Sequence, residues 1–224
     1  MRRHVPNLLT CANLLCGTAG IAYLFKGDGH YPIAYFVWAA AVFDFFDGFA
    51  ARLLNVKSPI GKELDSLADM VSFGLLPSLF LFTLIDQQEP GTLLAWSAFL
   101  IAVFSALRLA KFNIDDTQQD SFVGLPTPAN ALFLTALPFI QPKAAPLFNP
   151  LGLTAIALAF SWLLVSPIRL FALKFTDFSW QTNKLRFTFL IISVLLLILL
   201  HFAAIPLIII LYILLSLGVW LSNR

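Results

Sequence analysis

Four of the twelve acidic residues in this chain of 224, Asp44, Asp47, Asp65 and Asp69, fall inside stretches that are otherwise largely apolar. In Asp44-Phe-Phe-Asp47-Gly48-Phe-Ala-Ala51-Arg52 the residues Asp44, Asp47, Gly48 and Ala51 stand at offsets 0, 3, 4 and 7. That spacing is one stripe of a helix, with Phe45, Phe46 and Phe49 pointing elsewhere. In Gly61-Lys-Glu-Leu-Asp65-Ser-Leu-Ala-Asp69 the offsets 0, 4 and 8 make a second stripe. The segment Leu53–Ile60 joins the two helices, so they can lie antiparallel with both acidic stripes facing. Converging carboxylates repel unless cations sit between them. An all-oxygen donor set selects a hard ion, magnesium, manganese or calcium, over zinc. Two such ions about 3.5–4 Å apart are the usual arrangement for displacement at phosphorus. Gly48 and Gly61 keep side chains off the stripes, which lets a bulky ligand approach the backbone. Arg52, two turns beyond Asp44, reaches toward a phosphate at the rim. The alternative is an acidic network paired with Arg and Lys, as cation-coupled transporters and channels have.

The elements that must hold these residues are membrane helices. Hydrophobic residues make up 59% of the chain, charged residues 12%, and the mean hydropathy is +0.86. A soluble domain carries about 25% charged residues. Apolar runs and breakers place about eight spans near 8–26, 32–54, 61–85, 91–112, 127–141, 150–172, 186–201 and 204–222. The expected fold is therefore all-α and polytopic, a single membrane-embedded unit over 1–224. Its acidic hairpin lies at about 32–85 and its scaffold helices at about 150–222. No small-residue cleavage site follows the first apolar run, so the first span is expected to stay.

Orientation follows from the basic residues. With the N-terminus inside, twelve of the fourteen Lys and Arg fall on the inner side: Arg2, Arg3, Arg52, Lys57, Lys62, Arg108, Lys111, Arg169, Lys174, Lys184, Arg186 and Arg224. Only Lys26 and Lys143 fall outside. Both termini and the acidic site are thus expected to face the cytoplasm. A net charge of +2 gives no reason to expect a nucleic-acid partner. Cys11 and Cys16 point to different helix faces and read as packing residues. Asp115, Asp116 and Asp120 read as a solvated loop, while Lys62 and Glu63 lie off the acidic stripe and read as interfacial. The last two spans are almost featureless and read as scaffold or a subunit interface.

The segment Asp44–Asp69 resembles the signature of the CDP-alcohol phosphatidyltransferases, D-x-x-D-G-x-x-A-R, eight residues, then G-x-x-x-D-x-x-x-D, with every fixed position and the gap matched. The N-terminal Pro6-Asn7-Leu-Leu-Thr10-Cys-Ala-Asn13 fits the same resemblance. It implies a CDP-linked lipid donor, two divalent cations (magnesium or manganese, with calcium as a non-productive occupant), an alcohol acceptor and release of CMP. By position, Asp44, Asp47, Asp65 and Asp69 would ligate metal, and Asp69 would also take the acceptor proton. Gly48, Ala51, Arg52 and Gly61 would line the donor site. The resemblance also implies a homodimer in a prokaryotic cell (inner) membrane.

The stretch Leu64–Gly74 is similar to the branch of the family that uses L-serine. The glycerol-phosphate branch typically has Pro where Ser66 stands and Lys where Met70 stands. Arg108-Leu-Ala-Lys111-Phe112-Asn113 and Phe122–Ala129 agree, although the serine branch usually reads Arg at Lys111 and Ser at Thr127. Arg108 and Lys111 are three apart on one helix face and suit a carboxylate. Asn113, or the Phe122–Asn130 loop, would receive the ammonium. The alternative for Arg108 and Lys111 is that they are ordinary inner-boundary anchors. Glycerol 3-phosphate, inositol or inositol phosphate remain alternative acceptors, since charge alone does not decide among them.

Overall fold

The computed structural model describes residues 4–27, 29–56, 58–114, 121–141, 144–171 and 179–222. Arg2, Arg3, Lys57, Lys143, Lys174 and Arg224 lie outside the described residues, as do Asp115, Asp116 and Asp120.

The chain opens with α1 (Val5–Leu24) and α2 (Tyr31–Leu53), each with a proline in its first turn, where the missing N–H costs no helical bond. Next comes one long rod made of α3 (Pro59–Asp69), a π-helical turn (Met70–Leu75) and α4 (Leu76–Asp86). A 3-10 stretch (Leu93–Ala98) leads into α5 (Phe99–Ile114), followed by α6 (Thr127–Ala136), α7 (Pro150–Val165), α8 (Trp180–Leu200) and α9 (Ala204–Ser222). Among the described residues, five stretches are long and apolar enough to cross a membrane: Val5–Leu24, Tyr31–Leu53, Pro59–Asp86, Leu93–Ile114 and Trp180–Ser222. The last holds both α8 and α9, turned at His201–Ala203. The all-α membrane architecture expected from composition is the one observed. The segments expected at 127–141 and 150–172 carry helices of 10 and 16 residues, short of the roughly 20 a crossing needs.

The shortened α7 has a local cause. Ser166 precedes Pro167 and takes an extended conformation (φ −62°, ψ 151°), because a proline ring clashes with a helical residue before it. The chain then forms a strand, β2 (Arg169–Phe171), antiparallel to β1 (Ser121–Val123), with Phe122 opposite Leu170. Gly124 follows at φ +78°, and a Cβ there would lie 2.9 Å from the Leu164 carbonyl carbon. Its amide donates to the Ile168 carbonyl, and the Leu125 amide donates to that of Leu163. The loop before α6 is thus stitched to the end of α7.

The long rod is the centre of the bundle. Phe73, Leu76, Phe80, Leu81 and Ile85 on it are fully buried against Ile33 and Val37 of α2 and Ile101 of α5. The buried face of α1 reads Pro6, Thr10, Asn13, Gly17, Gly20, spaced alternately four and three apart. Its small residues let α1 approach the rod closely: a Cβ on Gly17 would stand 2.9 Å from the Ser72 Cα. Ser72 in turn donates to the Asn13 carbonyl at 3.0 Å. Helix α1 packs on both α2 and α3, whereas α2 and α3 barely meet. The two arms expected to face each other with their acidic stripes thus border a cleft with α1 as its third wall.

Candidate active site

Helix α2 ends where Asn55 turns left-handed (φ 50°), a conformation asparagine tolerates better than most residues. The Asn55 amide reaches the Arg52 carbonyl and the Val56 amide reaches that of Ala51, closing the helix in a Schellman motif. Ser58 then caps α3, its hydroxyl accepting from the Gly61 amide at 3.2 Å, with Pro59 in the first turn. These two caps make the connection tight and bring the acidic stripe of α3 opposite that of α2.

Carboxylate oxygens of Asp44, Asp47 and Asp65 all lie within 4.8 Å of one another. Asp69 is one turn deeper, in side-chain contact with Asp44 and beside Asp65. Asp47 and Asp69 are only 6% and 8% exposed. An uncompensated charge at the centre of a membrane helix costs at least about 2.5 kcal/mol. The protein meets part of that cost from α1. The Thr10 hydroxyl donates to Asp47 Oδ2 at 2.7 Å, and Asn13 Nδ2 donates to Asp69 Oδ1 at 3.0 Å. One buried oxygen, Asp65 Oδ1, has no partner in the protein. Clustered hard oxygen donors, with one buried lone-pair group unused, fit a divalent cation. Thr10 and Asn13 belong to the N-terminal motif, which gives neither a role by itself. The signal that exposes them is their place in the four-three spacing of small and polar residues along α1.

Next to the carboxylates is a cavity of about 240 Å³, lined in part by Asp47, Gly48, Ala51, Gly61, Lys62 and Asp65. Gly48 opens it directly, since a Cβ there would meet nothing within 4 Å. Gly61 instead makes room for a neighbour: a Cβ would stand 3.1 Å from Asn7 Oδ1. Arg52 is exposed and is not among the residues lining this cavity, and its Nε donates to the Gly48 carbonyl at 3.1 Å. Lys62, expected at the interface, lines the cavity and donates to the Asn113 carbonyl at 2.6 Å. Lys62 is exposed, and it stands at the cavity because Gly61 and Asp65, on the same part of α3, line the cleft.

The π-helical turn begins immediately after Asp69. One extra residue in the turn shifts the faces of everything beyond it, so Ser72 meets α1 while Gly74 meets α5 at Ser105. On α5, Arg108 is 8% exposed, and its guanidinium is within electrostatic range of Asp69 and of Tyr212 on α9. Its side chain is thus enclosed by protein rather than exposed at the bundle surface. Arg108 and Lys111 together border a small cavity of about 60 Å³ with Val123 and Leu164. Asn113 is drawn elsewhere: its Nδ2 donates to Ser66 Oγ at 2.9 Å, tying α5 to α3. Tyr212 donates to the Phe171 carbonyl at 2.9 Å. The last helix therefore reaches the edge of the site, which nothing in its Leu/Ile-rich sequence announces.

Residues 3–221 match the family model for CDP-alcohol phosphatidyltransferase. The chain is 34% identical over 168 residues to the CDP-diacylglycerol–serine O-phosphatidyltransferase of Bacillus subtilis, covering 74% of this chain and 89% of that protein. It is 36% identical over 143 residues to the enzyme of that name from Helicobacter pylori, covering 62% of this chain and 58% of that one. With the Methanocaldococcus jannaschii enzyme of the same name it shares 35% over 133 residues, covering 59% and 60%. The acidic cleft, the open glycine and the match along nearly the whole length place this chain in the CDP-alcohol phosphatidyltransferase family.

Proposed function

We propose that this chain transfers the phosphatidyl group of CDP-diacylglycerol to the hydroxyl of L-serine, giving phosphatidylserine and CMP. The observation that carries the reading is the cleft itself, three carboxylates within 4.8 Å beside a glycine-walled cavity, in a family whose similar members bear that activity in their names. Asp44, Asp47 and Asp65, with Asp69, would hold two divalent cations, magnesium or manganese. Such ions, when bound, offset the charge of a pyrophosphate and of a departing phosphate.

The chain's own residues do the rest. Gly48 admits the donor head group against the backbone, with Ala51 and Gly61 lining the same cavity. Lys62 offers an ammonium at the same cavity, with Arg52 at its rim. Asp69, steadied by Asn13, accepts the hydroxyl proton as the serine oxygen bonds to the phosphatidyl phosphorus and the bond to the CMP oxygen breaks. Arg108 supplies a buried positive charge on the far side of Asp69, where the serine carboxylate would otherwise face only acids. Lys111 adds a second charge toward the cytoplasm. Orientation with both termini inside puts this cleft at the cytoplasmic face of the cell membrane, as a single unit over 1–224 that pairs as a homodimer.

The test is CMP release from CDP-diacylglycerol by solubilised protein, with and without divalent metal. Serine, glycerol 3-phosphate, inositol and inositol phosphate are compared as acceptors. Metal-dependent release with serine alone is expected. Release with another acceptor and none with serine would overturn the assignment.

A further inference from the structure

Asn130, one turn into α6, is 0% exposed, and neither its amide nitrogen nor its amide oxygen has a hydrogen-bond partner in the protein. A primary amide carries two donors and a two-lone-pair acceptor, and buried polar groups of that kind are ordinarily paired. Single buried hydroxyls, such as those of Ser161 and Ser216, are a milder case. Asn130 is also not isolated. Three residues earlier on α6, Thr127 is fully buried with its hydroxyl unpartnered. On α5, Arg108 Nε and Ser105 Oγ, one turn apart, are buried and unpartnered too. Helices α5 and α6 pack on each other and on the π-helical turn that follows Asp69. Ser105 meets that turn at Gly74, and Arg108 is within electrostatic range of Asp69. Unused donors and acceptors thus lie on the two helices that pack on the turn beyond Asp69. Asn113, by contrast, already donates its side-chain amide N–H to Ser66, and its backbone carbonyl accepts from Lys62.

We infer that Asn130, with Thr127, completes the acceptor subsite and recognises the zwitterionic end of an α-amino acid. This rests on the reading of serine as the acceptor. A zwitterion needs donors for its carboxylate and acceptors for its ammonium within a few ångströms, and one planar amide offers both. The Asn130 N–H groups donate to the carboxylate alongside Arg108, and its carbonyl accepts from the ammonium, with the Thr127 hydroxyl as a second acceptor. A phosphorylated alcohol presents only anionic oxygens to this end of the site, and would leave the amide oxygen facing negative charge. Asn130 therefore selects for an amino acid over a sugar or glycerol phosphate, as a specificity residue outside the acidic signature.

The experiment uses Asn130→Leu, which keeps the volume and removes the polar atoms, with Asn130→Ala as a second variant should leucine overfill the site. Steady-state CMP release is measured with serine varied at saturating CDP-diacylglycerol, together with the rise in Tm that serine produces in the presence of CDP-diacylglycerol and metal. The expected result is a serine KM raised about tenfold or more, a donor KM within about twofold of the parent, and loss of the serine-induced rise in Tm. The basal Tm should hold or rise, because an unpartnered amide leaves the core. Serine KM within about twofold of the parent, in whichever variant folds, overturns the role of Asn130 and leaves the serine reading standing. A parent chain that releases no CMP with serine removes both.

Discussion

The two walls of this site are built in opposite ways. On the proposed donor side Asp44, Asp47, Gly48, Gly61 and Asp65 come from one continuous stretch, two helical stripes and the short turn between them. On the proposed acceptor side Arg108, Thr127, Asn130 and Tyr212 come from three helices, each contributing one or two polar residues to an otherwise apolar face. The donor wall is also saturated with like charge and held by hydrogen bonds from α1. Its neighbour carries few charges and several unpartnered polar atoms. A wall that grips cations is marked by local spacing. A wall that discriminates among small alcohols can be assembled from residues that look incidental one at a time.

The largest effect that would test this contrast is at the carboxylates. Asp44→Asn, Asp47→Asn or Asp65→Asn should each lower metal-dependent CMP release by about 100-fold or more, the scale on which removal of one preorganised electrostatic group acts. Manganese binding, followed by electron paramagnetic resonance, should weaken in parallel. Near-parental turnover in a folded variant would remove that residue from the donor wall. Arg108→Ala should raise the serine KM about tenfold or more with the donor KM little changed, since a charged hydrogen bond contributes about 1.5–3 kcal/mol. Lys111→Ala should do the same more mildly, from its exposed position. An unaltered serine KM in Arg108→Ala would mean the two walls do not divide donor from acceptor. Gly48→Leu should raise the donor KM by about tenfold while leaving Tm unchanged, because its side chain enters open cavity rather than packed core. Titration with CDP-diacylglycerol reads this directly, and unchanged affinity would refute the close approach. Smallest of all, Thr10→Val should cost about fivefold in turnover and about 1 kcal/mol in stability, through the lost bond to Asp47. Denaturation and CMP release on the same preparation separate those two effects.

The membrane character, the all-α fold and the acidic stripes were legible in the sequence because each rests on local geometry. Twenty apolar residues make a span, and offsets of three and four make a face. The ends of α2 and α3 have equally local causes, since Asn55, Ser58 and Pro59 act within one turn of themselves. Ser166-Pro167 carries an equally local stop signal, and the apolar run expected to span 150–172 continues past it while α7 ends at Val165. Depth and partnership lay beyond the sequence. Arg108 follows the pattern of a boundary anchor and is buried beside Asp69. Asn113 has the chemistry for an ammonium, and its amide N–H also ties α5 to Ser66 on α3. Tyr212 sits in a helix with no other mark. Which helices touch is decided by the close approach of small residues, Gly17 on Ser72 and Gly74 on Ser105, across segments far apart in the chain. Only that packing determines whether a lone polar side chain faces lipid, another side chain or the acceptor side of the cleft.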